Sequence, residues 1–185
     1  MFDEDIATDV AAYFINKANG SMPKLKLLAL MYLADRERCN KYGTTITNDL
    51  IMAMKHGPTL INTYCLINGS IYDVDRWNDL IVCKDNNTVQ LRKPLTEDDS
   101  GHLSESYENI LNKILNEFGN LEEEELIQYT QSLPEWKYPK EYPTPITPEN
   151  MLIALNKTPD EIKNCLEFIN ETDSWDRLMR RMTKG

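Results

Sequence analysis

Eight consecutive apolar residues, Leu27-Leu28-Ala29-Leu30-Met31-Tyr32-Leu33-Ala34, are the strongest constraint on the fold. Two turns of helix built from them have no polar side, so other elements must surround them. The predicted helix runs from Pro23 to about Tyr42. Proline suits its first turn, Ser21 is placed to cap it, and Gly43 is placed to end it. The run falls far short of the roughly 20 apolar residues that cross a bilayer. A chain of 185 residues is expected to form one domain and to bury about 70% of its unfolded surface. Together these point to a central buried helix inside a single globular unit.

The remaining elements follow from periodicity and punctuation. Ile6, Val10, Tyr13, Phe14 and Ala18 recur at helical steps, predicting a helix from about Asp3 to Ala18, closed by Asn19-Gly20. Asn48 or Asp49 is expected to cap a short segment through Ala53. Gly57-Pro58 reads as a turn, with Pro58 opening a helix to about Ile67. Leu80-Ile81-Val82-Cys83, then Asp85-Asn86-Asn87, then Thr88-Val89-Gln90-Leu91 read as a β-hairpin. Leu103 to Phe118 is helical, and Glu122 to about Ser132 is a second helix with its glutamates at the favoured end of the dipole. Pro134, Pro139, Pro143, Pro145 and Pro148 interleave with Trp136, Tyr138 and Tyr142. Such a stretch is an extended strap, which either packs its aromatics on the domain or presents them to a partner. Thr147 to Leu155 and Thr158 to about Thr172 read as closing helices, the second with a Thr158/Glu161 capping box. Ser174 to Lys184 reads as a short basic amphipathic end. The expected class is mostly α (α+β): a single compact helical domain with one small β-hairpin or short sheet.

The formal net charge of −10 argues against non-specific nucleic-acid binding, which depends on Lys and Arg neutralising phosphates. Nearly all of it lies in one segment. Glu97 to Glu125 holds ten acidic residues against Lys113 alone, for −9. The last ten residues carry Arg177, Arg180, Arg181 and Lys184 against Asp176, for +3. An acidic segment of this kind either steers a basic partner or is a solvated helical face. No helix-turn-helix with a basic recognition helix is visible, so DNA binding is not expected.

Chemistry-bearing patterns are few. Cys39, Cys65, Cys83 and Cys165 form no Cys-x-x-Cys pair, and the two histidines, His56 and His102, are far apart. Neither a zinc site nor a disulfide framework is expected, and reduced cysteines in or near a core fit a cytoplasmic protein. The acidic start (Asp3, Glu4, Asp5) does not read as a signal peptide. No phosphate loop, nucleotide fingerprint or nucleophile elbow occurs, so no cofactor is expected. Cys65 with His56 is the one nucleophile–base pairing the composition allows, and nothing orients the histidine. Asp35-Arg36 and Glu37-Arg38 read as ion pairs at the end of the central helix. The Met52–Pro58 stretch puts His56 beside a glycine-proline turn, where it caps, fills a groove or meets a partner.

A resemblance to a known family rests on Leu25-Lys26-Leu27 and Met31-Tyr32-Leu33-Ala34-Asp35-Arg36 in the buried helix. It continues through Gly43, Ile46, Asp49, Ala53, Gly57-Pro58 and Tyr64. In this pattern the chain resembles the Panacea domain, an antitoxin family that includes SocA-like and phage-associated proteins. Leu126 to Trp136 is similar to the family's helix that ends in threonine-histidine and then a tryptophan. Thr130 and Trp136 are present, and Gln131 stands where histidine is usual. Glutamine keeps a donor and an acceptor but does not titrate near neutrality.

The resemblance covers roughly residues 3 to 140. It implies a domain over 1–140 followed by closing helices over 141–185 packed on it, and a non-enzymatic protein that neutralises a cognate toxin by direct binding. Some relatives act instead as adaptors that deliver a toxin to a protease, and a phage-encoded anti-defence binder would work by the same contacts. Interface energy concentrates in aromatic and cationic anchors. The expected partner-binding residues are therefore Lys55, His56, Pro58 and Tyr64 around the glycine-proline turn, and Gln131, Trp136, Tyr138 and Tyr142 of the following helix and strap.

Overall fold

The computed structural model describes residues 1–71, 75–96, 99 and 101–183, and the side chains of all these except 176–178, 180, 181 and 183. It contains eight helices and two three-stranded antiparallel sheets among the described residues. Helix α1 (Glu4–Lys17) is capped by Asp3, whose carboxylate accepts from the Ile6 N–H at 3.1 Å. Asn19 (φ 59°) and Gly20 (φ 91°) then turn the chain into strand β1 (Ser21–Pro23). The central helix, α2 (Lys24–Tyr42), buries every residue from Leu27 to Asp35, and Gly43 ends it in the left-handed region at φ 72°. Ser21 does not cap this helix. It pairs with Gln90 across the first sheet, because the backbone leaving Gly20 is extended.

Strands β2 (Ile51–Met54) and β3 (Gly57–Leu60) form a hairpin where a short capped segment and the start of a helix were expected. The turn itself is Lys55-His56, not Gly57-Pro58. Ile51 and Ala53 are buried while Met52 and Met54 are half-buried, which is the two-residue period of a strand hidden in a helix-favouring composition. Pro58 is tolerated because β3 is the edge of a sheet ordered β3-β2-β6. Helix α3 (Ile61–Ile67) therefore begins three residues after Pro58. Asp49 does cap a helix, but it is α3: its carboxylate accepts from the Asn62 N–H at 2.8 Å and the Thr63 N–H at 2.9 Å. A short helix α4 (Asp75–Leu80), which periodicity did not reveal, buries Trp77 and Leu80.

The second hairpin is as the sequence suggests. Strands β4 (Ile81–Lys84) and β5 (Thr88–Leu91) are joined through Asp85 (φ 53°) and Asn86 (φ 55°), a twist that suits antiparallel strands. With β1 they form the first sheet, in the order β1-β5-β4. Helix α5 (Glu105–Phe118) lays Ile110, Leu111 and Ile114 on the core, and Lys26 of α2 donates to the carbonyls of Gly119 and Leu121 just beyond it. A cation there complements the C-terminal end of the helix dipole. Helix α6 (Glu123–Gln131) starts with a Glu122/Glu125 capping box. The acidic first turn of α6 thus has a local structural use. Glu97 and Asp98 of the acidic segment lie outside the described residues.

The strap after α6 crosses the second sheet and adds strand β6 (Thr144–Pro145) to β2. Helix α7 (Pro148–Ala154) follows a Thr147/Asn150 capping box and buries Met151 and Leu152. Helix α8 (Pro159–Thr183) begins with the expected Thr158/Glu161 box and continues without the expected break near Thr172. Thr172 and Ser174 donate to the carbonyls of Phe168 and Asn170 one turn earlier, so these hydroxyls bond back into the helix and do not start a new one. The basic side chains of the tail, Arg177, Arg180, Arg181 and Lys184, lie outside the described side chains.

Candidate functional site

The β2–β3 turn is locked from one side by a single stretch of chain. The Gln131 amide Nε2 donates to the Lys55 carbonyl at 2.8 Å, and the Trp136 indole N–H donates to the adjacent Met54 carbonyl at 3.1 Å. Thr130 stands against Gly57, whose φ is 106°. A Cβ added there would lie 2.7 Å from the Thr130 hydroxyl oxygen. Between Gln131 and Trp136, Glu135 is buried and takes the Tyr32 hydroxyl proton donor and the Arg36 guanidinium from α2. Burial raises the Tyr32 phenol well above its ordinary range, and the Glu135 carboxylate pushes it the same way. The end of α6 and the start of the strap are thus fixed to the central helix through Glu135 and to the hairpin turn through Gln131 before it and Trp136 after it.

On the other side of that turn lies a cleft of 420 Å³. Lys55 and His56 come from the turn and Tyr64 from α3. Pro139, Tyr142 and Pro143 come from the strap. Lys24 and Leu25 of α2 and Met54 close it, and Lys24 Nζ sits 6.0 Å from the centre of the Tyr64 ring. Glu141 is the one carboxylate of the lining. The walls are therefore aromatic and prolyl, with two lysines for charge. Tyr142 is 78% exposed and Tyr138 61% exposed.

The expected residues divide into three groups. Lys55, His56, Tyr64 and Tyr142 meet in the cleft. Gln131 and Trp136 act behind the turn as its hydrogen-bond donors, and Tyr138 packs edge-on against Trp136 with ring centres 6.1 Å apart. Pro58 is buried within the hairpin and offers no surface. Sequence reasoning missed Lys24, Met54 and Glu141 of the lining. The strand alternation at Met52 and Met54 was the signal that places Met54.

Other polar clusters serve the fold. Asp35, fully buried, accepts from the N–H groups of Ile46 and Thr47 and from the Thr47 hydroxyl. Burial nevertheless pushes its carboxyl up to about 6. Asp9 takes the Arg76 guanidinium on one oxygen and the His102 backbone N–H on the other, fastening the 75–103 region to α1. Cys39 is buried, and its thiol is pushed up to about 12. Cys65 does not line the cleft that His56 enters. Among the described residues no three His, Cys, Asp or Glu side chains gather as a metal site, and no helix is long and apolar enough to cross a membrane.

A buried helix, two small sheets and a side-chain-locked hairpin beside an open cleft define a compact α+β domain. The model of one family, the antitoxin SocA-like Panacea domain, matches residues 27–137, and the chain belongs to that family. The matched span runs from the buried run of α2 to the residue after Trp136, so it includes the whole of the turn-locking arrangement. No curated protein and no solved structure matches the chain.

Proposed function

We propose that this chain is an antitoxin that neutralises a cognate toxin protein in the cytoplasm by direct binding, with no catalysis of its own. The observation that carries this reading is the gathering of Lys55, His56, Tyr64 and Tyr142 around one cleft on a turn held by Gln131 and Trp136. A pre-ordered surface loses little entropy on binding, and exposed aromatics supply contact area with few rotatable bonds. The cleft's prolyl walls and paired lysines suit an extended or looped segment of the toxin that carries an acidic group. Binding there occludes the toxin.

The test is co-expression with the protein encoded by the adjacent reading frame, scored by growth and by the abundance of that protein. Growth arrest relieved by this chain, at unchanged toxin abundance, is the expected result. Relief accompanied by faster loss of the toxin would replace occlusion with delivery to a protease. Arrest that this chain does not relieve would overturn the antitoxin reading for that pair.

A further inference from the structure

The strap wall of the cleft is fastened at its ends and free between them. At one end the Trp136 indole N–H donates to the Met54 carbonyl at 3.1 Å. At the other, Thr144 pairs with Ala53 and Pro145 with Met52, and the Ile146 N–H donates to the Ile51 carbonyl at 2.9 Å. Both ends are thus held by neighbouring residues of β2. Between them, residues 137–143 make no hydrogen bond and no ion pair, from backbone or side chain, among the described residues. Pro139 and Pro143 carry no N–H, and the N–H groups of Lys137, Tyr138, Lys140, Glu141 and Tyr142 are left to water. Pro139 is the one buried residue of the stretch. Tyr138 touches the rest only through the edge-on contact with Trp136.

The stretch also has slack. The chain from Trp136 to Thr144 would span about 27 Å if extended. Its ends return instead to adjacent positions on β2, so the intervening length is folded back on itself in the manner of an Ω-loop. A segment with one buried residue and no hydrogen bonds of its own moves at little cost. The facing walls are the reverse. Lys55 and His56 stand on a turn held by Gln131 and Trp136, and Tyr64 stands on a helix whose first N–H groups are taken by Asp49. Pro139, Glu141, Tyr142 and Pro143 of the strap already line the cleft, so an inward swing about the two fastened ends narrows it. Swinging over an empty cleft leaves the exposed Tyr142 ring with nothing to pack on. Swinging over an occupied one takes that ring out of water and gives it contact atoms, so occupancy drives closure.

We propose that residues 137–143 are a lid, which swings about its two fastened ends and closes over a toxin segment bound in the cleft, with Tyr142 covering that segment. The lid rests on the reading of the cleft as the toxin site. Because it closes after encounter, it governs dissociation more than association.

Backbone ¹⁵N relaxation and relaxation dispersion on the full chain, alone and with the protein encoded by the adjacent reading frame, test this. In the free chain Lys140, Glu141 and Tyr142 are expected below an order parameter of about 0.6, against about 0.85 at Met54 and Tyr64, and to rise to the rigid value in the complex. A pair of variants reads the closing step. Lys140→Gly and Lys140→Ala remove the same charge from a residue outside the cleft lining and differ in backbone freedom. If the strap orders on binding, the glycine variant dissociates about two- to fivefold faster than the alanine variant, with equal association rates. A strap that is already rigid in the free chain on every timescale overturns the proposal, as do equal dissociation rates for the two variants. A strap that stays mobile in the complex while Lys55 and Tyr64 signals shift also overturns the lid and leaves the cleft as the toxin site. A complex that perturbs neither the strap nor Lys55 and Tyr64 overturns the cleft reading, and the lid with it.

Discussion

The indole N–H of Trp136 donates to the backbone carbonyl of Met54, 82 positions earlier, at 3.1 Å. The next carbonyl, that of Lys55, is taken by Gln131. Two consecutive acceptors at the end of β2 are thus satisfied by side chains from one short stretch. That stretch is itself pinned to α2 through Glu135. A two-residue turn would ordinarily be the most mobile part of a hairpin. Here its backbone is tied to the domain's central helix, and the side chains of Lys55 and His56 project from a fixed base into the cleft.

Trp136→Phe keeps the aromatic body and deletes one donor, so it is expected to cost about 1 kcal/mol in urea denaturation. Amide exchange at Lys55 and His56 should quicken by more than exchange in α2, because the loss is local. Gln131→Ala is expected to behave alike, and Gln131→His to be near neutral, since an imidazole N–H can donate to the same carbonyl. Equal exchange in all three variants and the wild type would mean that the turn is held by other contacts.

The cleft makes the opposite prediction. Tyr142 is 78% exposed, so Tyr142→Ala should leave stability within about 0.5 kcal/mol. Its effect is expected on affinity for the toxin, by about 30-fold, as for an aromatic anchor. Lys55→Glu should slow association and make it less sensitive to salt. Calorimetry with thermal melts on the same samples separates the two effects. A destabilised Tyr142→Ala with unchanged affinity would return the strap to a packing role.

Gly57 tests how tightly the hairpin and α6 fit. At φ 106° an alanine is strained by about 2 kcal/mol. Its Cβ would also meet the Thr130 hydroxyl at 2.7 Å, and that hydroxyl already donates to the Ile127 carbonyl. Gly57→Ala is therefore expected to lose more than the backbone strain alone. Gly57→Ala with Thr130→Ala should recover the steric part and no more, seen as a coupling in a double-mutant cycle. Strict additivity would show that the two elements are farther apart in solution.

How much of this was legible beforehand depends on the range of the interaction. The buried run Leu27–Ala34, the start of α1 near Asp3, the capping box at Thr158, the left-handed Gly43 and the β4–β5 turn are local, and periodicity or a single residue type reveals each. The β2–β3 hairpin was not legible because Met-Ala-Met favours helix while its burial alternates, and the side chains that hold its turn, Gln131 and Trp136, are 76 and 82 positions on. Glu135, Asp9 and Asp49 look like surface charges in sequence. Their partners, Arg36 with Tyr32, Arg76 with His102, and the first turn of α3, are long-range in chain or topology. The family resemblance did point to Asp35, Asp49, Gly57, Thr130 and Trp136, and the structure supplies the reason: most are caps or clamps that tie one element to another. It also brought Lys55, His56, Tyr64 and Tyr142 into one cleft, while Pro58 turned inward.

Asp35 offers the sharpest pH signature. Its carboxyl is fully buried and held by three donors from Ile46 and Thr47, yet burial raises it to about 6 against about 4 in an unfolded chain. Between those values the folded protein binds more protons than the unfolded one. The contribution of this group to stability is therefore full below pH 4 and falls as the pH rises to about 6, by up to about 3 kcal/mol. Asp35→Asn removes the titration and keeps the geometry: the amide oxygen accepts the two N–H groups, and the NH₂ donates to the Thr47 hydroxyl. The variant should be at least as stable as the wild type at pH 7 and lose that advantage as the pH falls from 6 to 4. Asp35→Ala removes all three bonds and should cost about 2–3 kcal/mol across the range. Denaturant midpoints of the three proteins at pH 4, 5, 6 and 7 decide the matter. A wild-type to Asp35→Asn difference that does not move with pH would mean that Asp35 is solvated and ionised as an ordinary surface carboxylate.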